Sequence, residues 1–344
     1  MKAIYSLILV LALVVIATLG AGAAKMQTIF AYCVPGTAFV IFVVGFVCKI
    51  ISWAKRPVPF RIPTTGGQQQ SLDWITQNKW DNPSTGPQTA MRMLLEVLTF
   101  RSLFRNTKVV LKHDGGKNPV VAYVSNKWLW LFAILFHYSF LIIVLRHMRL
   151  FLQPVPQVIL GIEFVDGILQ IYAPVLYQSD LLILAGAGFL LARRLFDARL
   201  RYISLVNDYF PLILILAIAL SGMYMRYIAK VDVMAIKDVV MVLSTGFFTR
   251  TYIVPTGIDV SFFVHVFLVS TLLVYFPFSK LMHLGGIFLS PTRNLPNDTR
   301  MHHHENPWNN PAIKPHSYEA YEDEFRAPMF EAGLPLEKNP EEAA

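Results

Sequence analysis

This sequence predicts an all-α membrane protein with six transmembrane helices, on three observations. Of its 344 residues, 55% are hydrophobic and only 15% charged, whereas a soluble domain carries about 25% charged residues. Six apolar runs, at about 4–24, 30–51, 128–150, 180–196, 207–228 and 260–283, approach the roughly 20 residues that a spanning helix needs. None shows the period-two alternation of a membrane strand. The composition excludes a disordered chain and a disulfide-stapled secreted domain. The net charge of +8 does not indicate a nucleic-acid binder, because the basic residues flank apolar runs.

The first run, 4–24, follows Lys2 and ends in Gly20-Ala21-Gly22-Ala23-Ala24. A retained helix is expected there, a cleavable signal peptide being the competing reading. The second run, 30–51, holds both cysteines, Cys33 and Cys48, about 22 Å apart on one helix and too far for a disulfide with each other. With only these two and no CxxCH motif, neither c-type haem attachment, an iron–sulfur cluster nor a structural zinc site can be built from cysteine.

Segment 52–127 carries eleven Lys/Arg against Asp73, Asp81, Glu96 and Asp114. Arg193, Arg194, Arg199 and Arg201 follow the fourth run. By the positive-inside rule both segments are expected in the cytoplasm, with 151–179 and 229–259 outside and both termini inside. The expected divisions are 1–29, 30–51, a basic segment 52–127 with a helical pattern near 91–103, a helical core 128–285, and a tail 286–344. From 284 onward the chain counts five Lys/Arg and ten Asp/Glu. It is too poor in apolar residues to make its own core, yet it keeps Trp308, Tyr318, Tyr321 and Phe325, suited to anchoring on a partner.

Histidine inside a membrane span is costly and tends to mark a function. His137 and His147 lie ten residues apart in the third run, about 15 Å of helix; His265 and His283 lie eighteen apart around the sixth, about 27 Å and five whole turns. The topology makes these runs antiparallel. His147 and His265 are then expected at the outer level, and His137 and His283 at the inner one. Each pair could clamp one haem iron through two imidazoles, leaving no open coordination position and making an electron carrier. The two spacings differ by about 12 Å, and a kink at Pro277 is expected to reconcile them. The other possibility is a membrane scaffold or proton-relay subunit in which the histidines only hydrogen-bond.

Nearby residues have weaker claims. Glu163 and Asp166 are either proton acceptors or solvated loop carboxylates. Arg146, Arg149 and Arg226 suit anionic propionates by fork geometry, or snorkel to the interface. Gly186, Gly188 and Gly222 serve close backbone approach, to a macrocycle or to another helix. His302, His303 and His304 are read as a solvated tract rather than a metal site.

The His-x9-His and His-x17-His pattern, over roughly 30–285, resembles the NarI-like dihaem cytochrome b family of respiratory nitrate reductase. That implies a five-helix dihaem bundle, here preceded by one extra N-terminal helix. The extra helix, the basic segment and the tail stretches Asn306-Pro307-Trp308-Asn309 and Tyr321-Glu322-Asp323-Glu324-Phe325-Arg326 resemble the cytochrome b subunits (DsrM, HmeC) of sulfite-reduction-associated DsrMKJOP/Hme complexes. HdrE of heterodisulfide reductase is a close relative in the same group. The resemblance implies two haem b groups, held by His147 with His265 and by His137 with His283, and menaquinol or menaquinone as substrate. It implies a DsrK-like (HdrD-like) iron–sulfur partner in the cytoplasm acting on DsrC, with DsrJ, DsrO and DsrP as further subunits, and an electron-transfer role in the cell membrane. An HdrE- or NarI-like subunit of another reductase is the alternative. The family's quinone-site lysine has no counterpart between His147 and Asp180, so quinone-site residues do not carry over.

Overall fold

The computed structural model describes residues 1–58, 61–62, 67–105, 108–112, 119–169, 175–245, 253–301 and 316–338. In chain order the helices and strands are α1 (Lys2–Thr18), α2 (Val34–Ala54), α3 (Gly86–Thr99), α4 (Arg101–Phe104), β1 (Lys108–Lys112), β2 (Val120–Val124), α5 (Lys127–Phe151), α6 (Gln157–Asp166), β3 (Gly167–Leu169), β4 (Leu176–Tyr177), α7 (Gln178–Phe196), α8 (Ala198–Ile203), α9 (Val206–Met223), α10 (Val233–Thr245), α11 (Val260–Tyr275), α12 (His283–Gly286) and α13 (Tyr318–Glu331). The strands make two antiparallel ribbons, β1 with β2 and β3 with β4. The sequence reading expected neither.

Among the described residues, five helical stretches are long and apolar enough to cross a membrane: Lys2–Ala23, Ile29–Ala54, Lys127–Phe151, Val206–Ala229 and Val260–Phe278. The expectation of six is corrected here. The fourth run forms α7, a 19-residue helix whose ends carry Asp180, Arg193 and Arg194. Those charges make it less apolar than the other five, although it packs inside the bundle between α5 and α9.

The bundle is ordered by neighbour packing: α5 on α7, α7 on α9, α9 on both α1 and α11, and α11 on α2. The buried core lies among α1, the helical turn Ile29–Cys33 that leads into α2, α9, α10 and α11, and includes Val10, Ala17, Ala21, Leu214, Val239, Phe263 and Leu268. Ser6, fully buried on α1, donates to the Val206 carbonyl at 3.1 Å and ties α1 to the start of α9. Its small-residue face lets that packing be close.

Segment 52–127 is not a free loop. Ile62 N donates to Pro291 O, and Asn297 donates to Pro83 O through its backbone and to Asn82 through its side chain. These bonds join the segment to the chain after α12. The helical pattern near 91–103 forms α3 and α4, separated by Phe100 at φ 49°. In the tail, α13 is held by polar bonds: buried Glu322 accepts the backbone N–H groups of Glu337 and Lys338, both at 2.9 Å. Tyr321 and Phe325 stack on α13, half exposed. Trp308, His113 and His302 to His304 lie outside the described residues.

The sixth helix breaks where proline requires it. Pro277 has no N–H to donate, and α11 ends at Tyr275. Two 3-10 turns, Phe276–Phe278 and Lys280–Met282, follow, with an extended Ser279 between them whose Oγ caps Leu281 N at 3.2 Å. Helix α2 backs the break: a Cβ at Gly45 would come within 2.8 Å of Pro277. His265 and His283 therefore do not share one face of one continuous helix, as the eighteen-residue spacing had suggested. The kink at Pro277 is present as a full interruption.

Gly186 marks a close approach of α7 to the backbone of α5. A Cβ there would lie 2.9 Å from the Phe136 backbone, whereas one at Gly188 would meet nothing within 4 Å. Gly186→Val is expected to lower stability by about 1–3 kcal/mol through overpacking, and Gly188→Ala to stay within about 0.5 kcal/mol. Thermal unfolding of the purified protein measures both.

Candidate functional site

His137 and His147 on α5 face His283 at the start of α12 and His265 on α11, in two pairs across a space between α5 and α11, which do not pack closely on each other. The His147 and His265 rings have centroids 6.4 Å apart and planes 15° from parallel. The His137 and His283 rings are 5.9 Å apart and nearly perpendicular, at 82°. The interruption after Tyr275 places His283 level with His137 although the chain spacings differ.

The hydrogen bonds fix which nitrogen of each ring is free. His137 Nδ1 lies 2.7 Å from Ala133 O, His147 Nδ1 2.7 Å from Ile143 O, and His283 Nδ1 2.9 Å from Lys280 O. A carbonyl can only accept, so each Nδ1 carries the proton. His265 Nδ1 lies 2.9 Å from Ser221 Oγ, whose own proton goes to Ile218 O at 2.9 Å. Ser221 is therefore the acceptor there too. All four imidazoles keep an Nε2 lone pair, and holding the other ring nitrogen in this way is what orients a metal-bound histidine.

An imidazole nitrogen binds a first-row metal at about 2 Å. Two imidazoles on opposite sides of one ion then have ring centres about 6 Å apart, which both pairs match. Among the described residues no group of three or more His, Cys, Asp or Glu could hold a metal. Among the described residues each pair thus offers two imidazole nitrogens and nothing else, so an ion seated there would have to bring its other ligands with it. A planar macrocycle does so. Gly222 lies under the His265 ring, where a Cβ would stand 3.3 Å from Cε1. Gly186 instead serves contact between α5 and α7.

At the His147 end of the bundle lies a buried polar network. Arg146 Nη2 donates to Asp180 Oδ1 at 2.9 Å and to Ser179 Oγ at 3.1 Å, and Arg146 Nε is 3.0 Å from Asp166 Oδ2. Asp166 also accepts Ser179 N at 2.9 Å and Ser179 Oγ at 2.6 Å. Tyr227 donates to Asp180 Oδ2 at 2.8 Å. The Tyr177 ring is sandwiched between Arg146, 3.6 Å from its centre, and Arg226, at 4.1 Å. Tyr177 donates to Glu163 Oε1 at 2.6 Å, and Glu163 also pairs with Arg149.

This network corrects two readings. Asp166 is not a solvated loop carboxylate but a buried ion-pair partner, 5% exposed. Arg146 does not snorkel to the interface: its Nη2 donates to Ser179 and Asp180, and its Nε is ion-paired with Asp166. Arg226 donates through Nε and Nη2 to Val175 O. Asp180 and Ser221 were missed; a charged residue inside an apolar run was the available signal for Asp180, and a lone serine on α9 gave none. Burial first, and the Glu163 hydrogen bond second, push the Tyr177 hydroxyl above the ordinary tyrosine range. It therefore stays protonated and donating.

Residues 120–297 match the protein family described as nitrate reductase gamma subunit. The chain is also 46% identical over 283 residues to the Hdr-like menaquinol oxidoreductase cytochrome b-like subunit of Archaeoglobus fulgidus, covering 81% of this chain and 83% of that one. It is 40% identical over 287 residues to the subunit of the same description from Archaeoglobus profundus, covering 82% and 83%.

Arg146→Leu is expected to cost about 3–5 kcal/mol, because it leaves Asp166 and Asp180 buried without their cation. Arg149→Leu, at the more exposed Glu163 pair, is expected to cost under about 1 kcal/mol. Thermal unfolding of the two variants compares the costs.

Proposed function

The chain belongs to the nitrate reductase gamma subunit family and is a multi-pass, cytochrome b-like membrane subunit, and on that footing we propose that it is a dihaem b cytochrome that exchanges electrons with menaquinol. The observation that carries this reading is the set of four Nδ1-anchored imidazoles in two pairs, each at the separation of two axial ligands. His147 and His265 would hold one haem, and His137 and His283 the other. Bound there, the haems supply one-electron transfer at two depths. The chain's part is to present four Nε2 atoms and to keep the rings from rotating.

Menaquinol oxidation releases two protons with its two electrons, so a base is needed beside the His147 level. Glu163 is our candidate. Its Oε1 is oriented by the Tyr177 hydroxyl and the Arg149 guanidinium, and its side chain keeps 20% exposure. Asp166 has its oxygens engaged by Arg146 and Ser179, which leaves it a positioning role.

The assembly we favour is an Hdr-like menaquinol oxidoreductase, the description that both relatives carry. The finer reading is a DsrMKJOP-type complex. In it the basic segment and tail lie in the cytoplasm, and a DsrK-like iron–sulfur subunit, acting on DsrC, docks on the tail. The half-exposed Tyr321 and Phe325 pair on α13 supports a docking face there.

Haem quantitation with optical redox titration tests the dihaem reading. His137→Ala and His283→Ala are expected to remove the same haem, and His147→Ala and His265→Ala the other. A wild-type protein that binds no haem overturns it. Glu163→Gln is expected to keep both haems and slow menaquinol oxidation about 100-fold. An unchanged rate would remove Glu163 from the reaction.

A further inference from the structure

The segment between α2 and α3, α3 itself and the chain after α12 bring together a group of arginines that the electron-transfer reading does not use. Arg61 is 2% exposed and Arg92, on α3, is 7% exposed. Arg61 Nε donates to Thr292 O at 3.1 Å and Nη1 to Asn82 Oδ1 at 3.2 Å, but its Nη2 is buried with no hydrogen-bond partner among the described residues. Arg92 Nη1 is buried in the same way, and Arg293 Nε, also without a hydrogen bond among the described residues, has only the longer ion pair to Glu96. Arg92 is the common neighbour, lying close enough to act electrostatically on Arg61 and to be acted on by Arg293.

The acids nearby are already engaged. Asp81 is held by Arg101 at 3.1 Å and Arg105 at 2.9 Å. Glu96 accepts Ser102 N at 3.0 Å and Ser102 Oγ at 2.5 Å, and lies 3.5 Å from Arg293 Nε. Among the described residues, the ion pairs of this group are those of Arg101 and Arg105 with Asp81 and of Arg293 with Glu96. Burial, and then the charge of Arg92, pull Arg61 down to about 10 from the usual arginine value. Buried cations without partners are strongly destabilising, and a guanidinium fork fits a planar or tetrahedral oxyanion.

The group is attached to the histidine site. Helix α3 runs from Arg92 to Thr99, where Leu98 O accepts the Tyr138 hydroxyl at 2.8 Å and Thr99 O accepts Trp130 Nε1 at 2.7 Å. The next residue, Phe100, sets its ring edge-on to His137 with centroids 5.0 Å apart.

We propose that Arg61, Arg92 and Arg293 form a binding site for an oxyanion, a carboxylate or phosphate, at the His137–His283 level. Two sources carry that chemistry: a propionate of a haem held by His137 and His283, or the phosphate of an anionic lipid headgroup. The first rests on the dihaem reading, and the second does not.

The test uses the full-length protein, wild type, Arg92→Gln and Arg92→Lys, with Arg293→Gln at the more exposed edge should Arg92→Gln not fold. Haem content and both midpoint potentials are measured, together with thermal unfolding in phosphatidylcholine nanodiscs with and without phosphatidylglycerol, and in detergent with inorganic phosphate. With a propionate in the site, Arg92→Gln selectively lowers the potential of the haem that His137→Ala removes, Arg92→Lys restores most of it, and Tm ignores both phosphates. With a lipid phosphate in the site, wild-type Tm rises with phosphatidylglycerol and phosphate, Arg92→Gln loses that rise, and the potentials stay in place. A Tm indifferent to both anions, with potentials unmoved in Arg92→Gln and Arg293→Gln, overturns the proposal. Haem absent from wild type would sink the dihaem reading alone, leaving the phosphate measurements to decide the anion site.

Discussion

Everything at the His283 end depends on one interruption of one helix. Continued through residue 283, α11 would carry that histidine about 27 Å from His265 by the helical rise, far beyond the 15 Å that separates the partners on α5. Pro277 removes the donor that continuation needs, and Ser279 turns extended and caps the next turn. Helix α2 fixes the result, with Gly45 under Pro277 and Phe42 edge-on to Phe276 at 5.3 Å. A helix with no functional residue of its own thereby sets the height of a histidine on another.

The two ends of the site are held by different physics. At the His283 end, ring orientation comes from the carbonyls of Ala133 and Lys280, an aromatic edge from Phe100, and apolar packing. At the His147 end, the same carbonyl anchor on α5 is joined by Ser221 and by a buried array of opposite charges. Arg146, Asp166 and Asp180 are each costly in an apolar surrounding and tolerable only together. Such a cluster has little freedom to rearrange, so it orients Tyr177 and, through it, Glu163.

Much of this was legible in the sequence. Apolar runs marked the bundle, and intervals of ten and eighteen residues with Pro277 between the later two indicated two depths for four histidines. What was not legible follows from long-range geometry. Glu163 and Asp166 sit three residues apart on α6 yet meet different fates, because one turn of helix separates the Tyr177 side from the Ser179 side. Asp180 read as the polar edge of a span; only the packing of α5 on α7 reveals that it neutralises Arg146. Ser221 could not be singled out, since its role needs both the free acceptor on its oxygen and the ring of His265 beside it. The ribbon of β1 and β2 escaped because its strands are five residues each, with exposed apolar side chains on both faces.

The packing of α1 has a consequence for biogenesis. Ser6 on α1 is bonded to Val206, 200 residues later, and both α1 and α2 lean on α11, which is made well after them. Each histidine pair joins residues more than a hundred positions apart. The N-terminal helices must therefore wait in the bilayer without their final neighbours while most of the chain is translated. Loop closure over such distances is slow, and the interior cannot seal until α11 has been made. A cofactor would have an open bundle to enter during that interval, and the arrival of α11 would close the door behind it.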